Sequence, residues 1–198
     1  MKTQIVFIHG GDSFATNEEF YASLRSHYFE PFVPEQKKWR DNIKEVLIET
    51  HDCIMPRMPN SMNADFVAWS IWFKKIVPYL RDGVVLVGHS LGGGFLLRYL
   101  TENKLPITVS QLHLVAGVTD DLDCPGVGEF GIDINHWTGF RSDIAMVHLW
   151  HSTDDTLVPV HHSERLAAKY SPATTHYFKD RGHFLQPEFP ELIVIIKN

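Results

Sequence analysis

Short apolar runs alternate along the chain with segments whose apolar side chains recur at helical spacing. The runs contain many β-branched residues and predict strands. They lie at residues 3–10, 52–56, 83–90, 110–117, 144–152 and 174–180. Apolar character is nearly continuous from Val84 to Val87, which is typical of a strand buried on both faces and therefore of a parallel sheet.

The intervals between these runs predict helices. They lie near residues 16–28 and at 35–48, 63–77, 91–102, 160–170 and 189–196. In the first, Thr16 and Glu19 have the spacing of a capping box, and Phe20, Leu24 and Tyr28 share one face. In the next two we expect these side chains to point inward: Trp39, Ile43, Val46, Leu47, Phe66, Trp69, Phe73, Ile76 and Val77. Among the aromatic residues of the third helix, Trp72 is also expected to pack in the core.

Strands that alternate with helices predict an α/β fold, with right-handed crossovers and helices on both faces of a mainly parallel sheet of about six strands. We expect residues 1–198 to form a single domain. The least regular stretch, 118–143, is too short for a large lid domain and predicts at most a flap beside a site. Within it His136, Trp137 and Phe140 either line a pocket or pack in the core.

A candidate nucleophile follows the third predicted strand. Gly88-His89-Ser90-Leu91-Gly92 has the pattern Gly-x-Ser-x-Gly at a strand-to-helix junction, the setting of a nucleophile elbow. Such a turn holds the serine in a strained conformation, and the two glycines remove β-carbons that would collide with neighbouring backbone. Ser90 is thereby placed at the carboxyl edge of the sheet, where open α/β folds bind ligands.

Candidates for the other two members of a catalytic triad follow later strands. A serine nucleophile needs a base, and the base needs an acid to orient it. Asp154 and Asp155 follow the strand at 144–152, and His183 follows the strand at 174–180. We predict Asp155 as the acid, because it lies three residues before Val158 where the chain turns into the next helix, and His183 as the base.

The backbone amide of Leu91 is predicted to stabilise the oxyanion, since it begins the helix after the nucleophile. The second donor is expected from the loop after the first strand: Gly11, with Gly10 and Asp12 as alternatives. His9 is expected to be a structural hydrogen-bonding residue. No cofactor or metal is expected, because His148 and His151 lie on opposite strand faces and His161 and His162 lack a partner at ligand spacing.

Composition and charge limit the possible partners and the cellular location of the protein. The net charge of −6 and the scattered Lys and Arg residues argue against a nucleic-acid partner. No apolar run approaches the length of a membrane span, and the first residues lack the features of a signal peptide. The two cysteines, Cys53 and Cys124, are expected to be free thiols in a reducing compartment. These features predict a cytoplasmic protein.

The motifs carry a resemblance to a known family. Gly-His-Ser-Leu-Gly-Gly at 88–93, His-Gly-Gly at 9–11, Asp-Asp-Thr-Leu-Val-Pro at 154–159 and Gly-His-Phe at 182–184 resemble the α/β-hydrolase superfamily. The stretch 58–73 resembles its small, lid-poor serine hydrolases of the retinoblastoma-binding-protein-like family. The resemblance spans residues 3 to 190 and implies the same roles for Ser90, Asp155 and His183. Gly94 extends the usual pair of glycines.

The prediction is therefore an α/β-hydrolase fold that carries a serine hydrolase, most readily a carboxylesterase for small esters. The same residues would serve a thioesterase or an amidase. A third alternative is a non-catalytic protein that keeps the fold and binds a protein partner.

Overall fold

The computed structural model describes residues 2–32, 37–120, 124 and 126–198. Its strands are Thr3–Ile8 (β1), His51–Ile54 (β2), Val84–His89 (β3), Val109–Val115 (β4), Ile144–Ser152 (β5) and Thr174–Phe178 (β6). Its α-helices are Asn17–Ser26 (α1), Trp39–Leu47 (α2), Phe66–Lys74 (α3), Leu91–Glu102 (α4), His161–Lys169 (α5) and Pro190–Ile196 (α6). Short 3₁₀ turns lie at Val77–Tyr79 and Gly128–Phe130. Every predicted strand and helix is present; residues 35 and 36 of the second predicted helix lie outside the described residues.

The strands form a six-stranded sheet in the order β2-β1-β3-β4-β5-β6, and every neighbouring pair is parallel. Because side chains alternate between the faces of a strand, the sheet contributes to two separate cores. One contains the buried faces of α3, α4 and α5, and the other those of α2 and α6. The predicted α/β fold, a parallel sheet of six strands with helices on both faces, is confirmed, and the described residues include no large lid domain.

The first helix forms as predicted, but it lies at the surface. The capping box between Thr16 and Glu19 forms, but no residue of α1 is buried. Leu24 is 41% exposed, and Tyr28 is 82% exposed beyond the end of the helix. Periodicity shows which side chains share a face, but whether another element covers that face depends on the tertiary arrangement.

Two side chains predicted to point inward are exposed. Val46 in α2 is 48% exposed and Trp72 in α3 is 43% exposed. Each helix packs on the sheet through a narrower stripe, formed by Trp39, Ile43 and Leu47 in α2 and by Phe66, Trp69 and Phe73 in α3. These short helices lie on the outer surface of the sheet, so one stripe is covered and its flanks contact solvent.

Residues 121–123 and 125 of the irregular stretch lie outside the described residues, and several of its other side chains pack against the core. Phe130 is fully buried and meets Trp69 edge to face, with ring centroids 5.0 Å apart. Trp137 and Phe140 pack edge to face on each other and on Tyr170, which follows α5. Trp137 and Phe140 therefore contribute to packing. His136 pairs on the surface with Asp133 through Nδ1 and Oδ2, 2.6 Å apart.

Candidate active site

Ser90 lies in a strained turn between β3 and α4. Its backbone has φ 56° and ψ −124°, a conformation that costs roughly 1–3 kcal/mol and is found mostly where function requires it. The turn is anchored on both sides, because the Ser90 amide donates to the carbonyl of Val115 and the Ser90 carbonyl accepts from the amide of Gly93 (2.9 Å each). The geometry agrees with the predicted nucleophile elbow.

The flanking glycines permit close backbone approach. A β-carbon on Gly92 would lie 2.3 Å from the carbonyl oxygen of Ile8 and 2.5 Å from that of His9, and one on Gly88 would lie 2.5 Å from the Gly92 carbonyl oxygen. Backbone atoms of the sheet cannot move aside as a flexible side chain can. The first turn of α4 therefore lies directly against the end of β1.

Replacing Gly92 by alanine is expected to destabilise the fold by about 3 kcal/mol, the upper part of the usual range for overpacking a core. The matched control is Gly117→Ala, where the added carbon would be 3.4 Å from its nearest neighbour, the Leu114 side chain. Urea titration followed by circular dichroism measures both. Equal midpoints for the two variants would contradict the close-approach argument.

His183 and Asp155 form the central hydrogen bond of the site. Nδ1 of His183 donates to Oδ2 of Asp155 at 2.8 Å, and the Asp155 side chain is fully buried. The other carboxylate oxygen accepts from the amides of Leu157 (2.9 Å) and Val158 (3.0 Å). Burial acts to raise the pKa of Asp155, but these hydrogen bonds and the charge of His183 outweigh it and lower that pKa. A charged carboxylate thus orients His183 with Nε2 free.

Asp154 has a different position from its neighbour. Its Oδ1 accepts from the Gly182 amide at 2.9 Å and from Oγ of Ser152 at 2.5 Å. It therefore ties the end of β5 to the loop that carries His183. The sequence pattern did not predict this role for Asp154.

His89 connects the nucleophile turn to the same loop. Its Nε2 donates to the backbone carbonyl of His183 at 2.9 Å. Burial lowers the pKa of His89 to about 3, and the charges of His183 and Arg40 act in the same direction, so the ring is neutral. This contact brings the loops of Ser90 and His183 together, although no hydrogen bond joins Ser90 Oγ to the His183 ring. The role of His89 was not predicted.

The loop after β1 lies against the nucleophile. A β-carbon on Gly10 would be 3.0 Å from Cβ of Ser90. The amide of Asp12 donates to the carbonyl of Ser61 at 2.9 Å, which occupies one of the alternative oxyanion donors. Among the described residues, the amides of Gly11 and Leu91 have no acceptor, so both are available to a ligand.

His9 is a structural residue, in agreement with its prediction. Its Nδ1 donates to the Gly10 carbonyl at 2.7 Å, and its Nε2 accepts from the Met58 amide at 2.8 Å. Burial lowers the pKa of His9, which keeps the ring neutral. His9 thus fastens the segment after β2 to the loop after β1.

Three further histidines contact neighbouring side chains within the protein. His148 stacks on His113 with centroids 4.8 Å apart, whereas His151 bonds to Ser163 Oγ at 2.7 Å on the opposite face. In the part of the chain that the structure describes, no group of three or more His, Cys, Asp or Glu residues could hold a metal ion. Both cysteines are free thiols. Over the same residues, no helix has the length and apolar character needed to span a membrane.

Comparison with known proteins supports the predicted resemblance, although no family model matches the chain. The serine hydrolase RBBP9 of Rattus norvegicus is 28% identical over 148 residues, which cover 74% of this chain and 76% of that protein. The ydeN gene product of B. subtilis has a similar structure, with a TM-score of 0.75, 21% identity and coverage of 98% and 97% of the two chains.

A meta-cleavage product hydrolase, CumD of Pseudomonas fluorescens IP01, shares the fold at a TM-score of 0.63 and 15% identity, with coverage of 98% and 88%. The predicted α/β-hydrolase fold and the resemblance to retinoblastoma-binding-protein-like serine hydrolases are confirmed. The similarity to a named serine hydrolase bears out the prediction of a hydrolase.

Proposed function

We propose that this α/β hydrolase is a carboxylesterase that cleaves small esters through an acyl-enzyme on Ser90, with His183 as base and Asp155 as acid. The observation that carries the proposal is the hydrogen bond of 2.8 Å between His183 and the buried Asp155, on a loop tied by His89 to the strained serine turn. A buried acid, a histidine with Nε2 free and an elbow serine are the parts that acyl transfer requires.

The proposed reaction proceeds in two halves. Nε2 of His183 accepts the Ser90 proton as Oγ attacks the ester carbonyl, and Asp155 stabilises the imidazolium that forms. The amides of Leu91 and Gly11 stabilise the oxyanion. His183 then protonates the departing alcohol. Water attacks the acyl-enzyme with His183 again as base, and the carboxylic acid product is released from Ser90. This chemistry needs no cofactor.

The space around the site supports small substrates. A cavity of about 620 Å³ lies beside the loop after β1, lined by His9, Phe20, Met58, Met62 and neighbouring polar residues. No large lid covers it in the part of the chain that the structure describes. We also propose a cytoplasmic location, which the two free thiols support because such thiols persist in a reducing compartment.

The first test is labelling with a fluorophosphonate probe, followed by hydrolysis of 4-nitrophenyl acetate, butyrate, octanoate and palmitate. We expect rapid labelling of the wild type and a fall in kcat/KM beyond butyrate, since no lid among the described residues would shield a long acyl chain from water. The protein is also incubated with each ester before the probe is added. An ester that slows labelling binds at the same site as the probe.

Two results would contradict the proposal. A folded wild type that neither takes the label nor hydrolyses any of the esters would exclude an activated nucleophile. A steep rise in kcat/KM toward palmitate would exclude the preference for short acyl chains.

A further inference from the structure

Two arginines lie on one side of the candidate nucleophile. Arg57 follows β2 and Arg40 lies in the first turn of α2. Together they line a cavity of about 400 Å³ that also contacts Gly10, the residue packed against Ser90. The cavity opens at the carboxyl edge of β1 and β2, the same edge that carries the triad.

The position of Arg57 is determined by the loop that holds it. The next residue, Met58, donates its amide to His9 at 2.8 Å. Further along, the Ser61 carbonyl accepts from the Asp12 amide, and the Ala64 amide donates to the Asp12 carbonyl at 2.7 Å. These bonds attach the segment after β2 to the loop after β1 and fix the backbone on both sides of Arg57, whose exposed side chain reaches the cavity.

The positive charge of this cavity is only partly compensated. Asp41 is the one acid among the described residues that line it. One carboxylate oxygen of Asp41 accepts from the Lys38 amide at 2.9 Å as part of a helix cap, and the other is 3.9 Å from Nε of Arg40. Among the described residues, Arg57 has no acidic partner, and the terminal nitrogens of Arg40 have none. His9, with its lowered pKa, adds no positive charge.

Two guanidinium groups with free terminal nitrogens provide the planar pairs of donors that fit a carboxylate. We propose that Arg40 and Arg57 form an anion subsite, and that the preferred substrates are esters bearing a carboxylate on the acyl or the alcohol part. This proposal rests on the esterase function proposed for Ser90 and specifies its substrate class. The arginines bind the charged end while the ester carbonyl contacts the amides of Gly11 and Leu91.

Matched ester pairs test this subsite. On the alcohol side, 4-acetoxybenzoate is compared with its neutral methyl ester; on the acyl side, mono(4-nitrophenyl) adipate is compared with 4-nitrophenyl methyl adipate. In at least one pair we expect the anionic member to have a kcat/KM at least about ten-fold higher, the effect of a charge-assisted contact. This preference should decline as NaCl rises from 20 to 500 mM, because salt screens exposed charges.

Variants assign the preference to the two arginines. Arg57→Gln and Arg40→Gln should each reduce the ratio of anionic to neutral kcat/KM several-fold, mainly through the KM of the anionic ester. Arg57→Lys should recover part of the ratio. Arg141→Gln is the control, because this substitution removes the same charge far from the proposed subsite. Arg141 is exposed in the loop before β5, at the edge of the sheet formed by the amino ends of the strands.

The outcomes separate this inference from the function on which it rests. Ser90-dependent hydrolysis with equal kcat/KM for the members of both pairs would overturn the anion subsite alone. A preference that persists in the Arg40→Gln and Arg57→Gln variants would also overturn it. Absence of Ser90-dependent turnover of every ester would overturn the esterase proposal and this inference together.

Discussion

Replacing Ser90 by alanine is expected to reduce kcat for 4-nitrophenyl acetate by about 10⁶-fold, the loss typical of removing a serine nucleophile. The change removes Oγ and keeps Cβ, so the backbone remains at φ 56° and its strain is unchanged. The hydrogen bonds of the turn to Val115 and Gly93 involve backbone atoms only, so they remain as well. Chemistry should therefore be lost without loss of folding.

The measurement combines steady-state kinetics, fluorophosphonate labelling and a thermal melt. Ser171→Ala is the matched control, because Ser171 is exposed between α5 and β6 and loses the same atom. We expect the control to keep both activity and labelling. A Ser90→Ala protein that melts like the wild type and retains more than a few per cent of its kcat would mean that another group carries the reaction.

The second large effect is expected at Asp155. In Asp155→Asn the side chain keeps its shape, and its oxygen can still accept from the amides of Leu157 and Val158. Its new amide group is a donor, so it can bond to Nδ1 of His183 only if that nitrogen loses its proton. The proton then lies on Nε2, which can no longer accept from Ser90. We expect kcat to fall by about 10⁴-fold.

The neighbouring Asp154 provides the comparison. Asp154→Asn keeps an oxygen that can accept from Gly182 and Ser152 Oγ, and it does not alter the protonation of His183. Its effect on kcat should be much smaller, with the loop geometry largely retained. Pre-steady-state kinetics compare the loss of rate in the Asp154→Asn and Asp155→Asn variants, and circular dichroism checks that each variant is folded. A larger loss in Asp154→Asn would reassign the acid to Asp154.

Several features were predictable because they depend on local physical chemistry. The buried strand β3 begins with a continuous apolar run from Val84 to Val87, and Gly88 and Gly92 lie where an added β-carbon would collide with neighbouring backbone. The order Ser90, Asp155, His183 could be interpreted because loops after parallel strands meet at one sheet edge. The hydrogen bond between His183 and Asp155 agrees with that expectation.

Other features depended on contacts between segments distant in sequence. The face of Phe20, Leu24 and Tyr28 has helical spacing, yet nothing in its periodicity indicates whether another element covers it. The bond from His89 to the His183 carbonyl joins residues 94 positions apart, and neither residue type requires the other. Arg40 and Arg57 likewise line one cavity only because β2 lies beside β1.

The sequence by itself determined the elements, the parallel sheet and the candidate residues for acyl transfer, because each is encoded in neighbouring side chains and in strand order. The tertiary structure alone decided the exposure of α1, the different contacts of Asp154 and Asp155, and the charge beside Ser90. Those features arise from packing between separate loops, where a shift of a few ångströms changes which donor meets which acceptor.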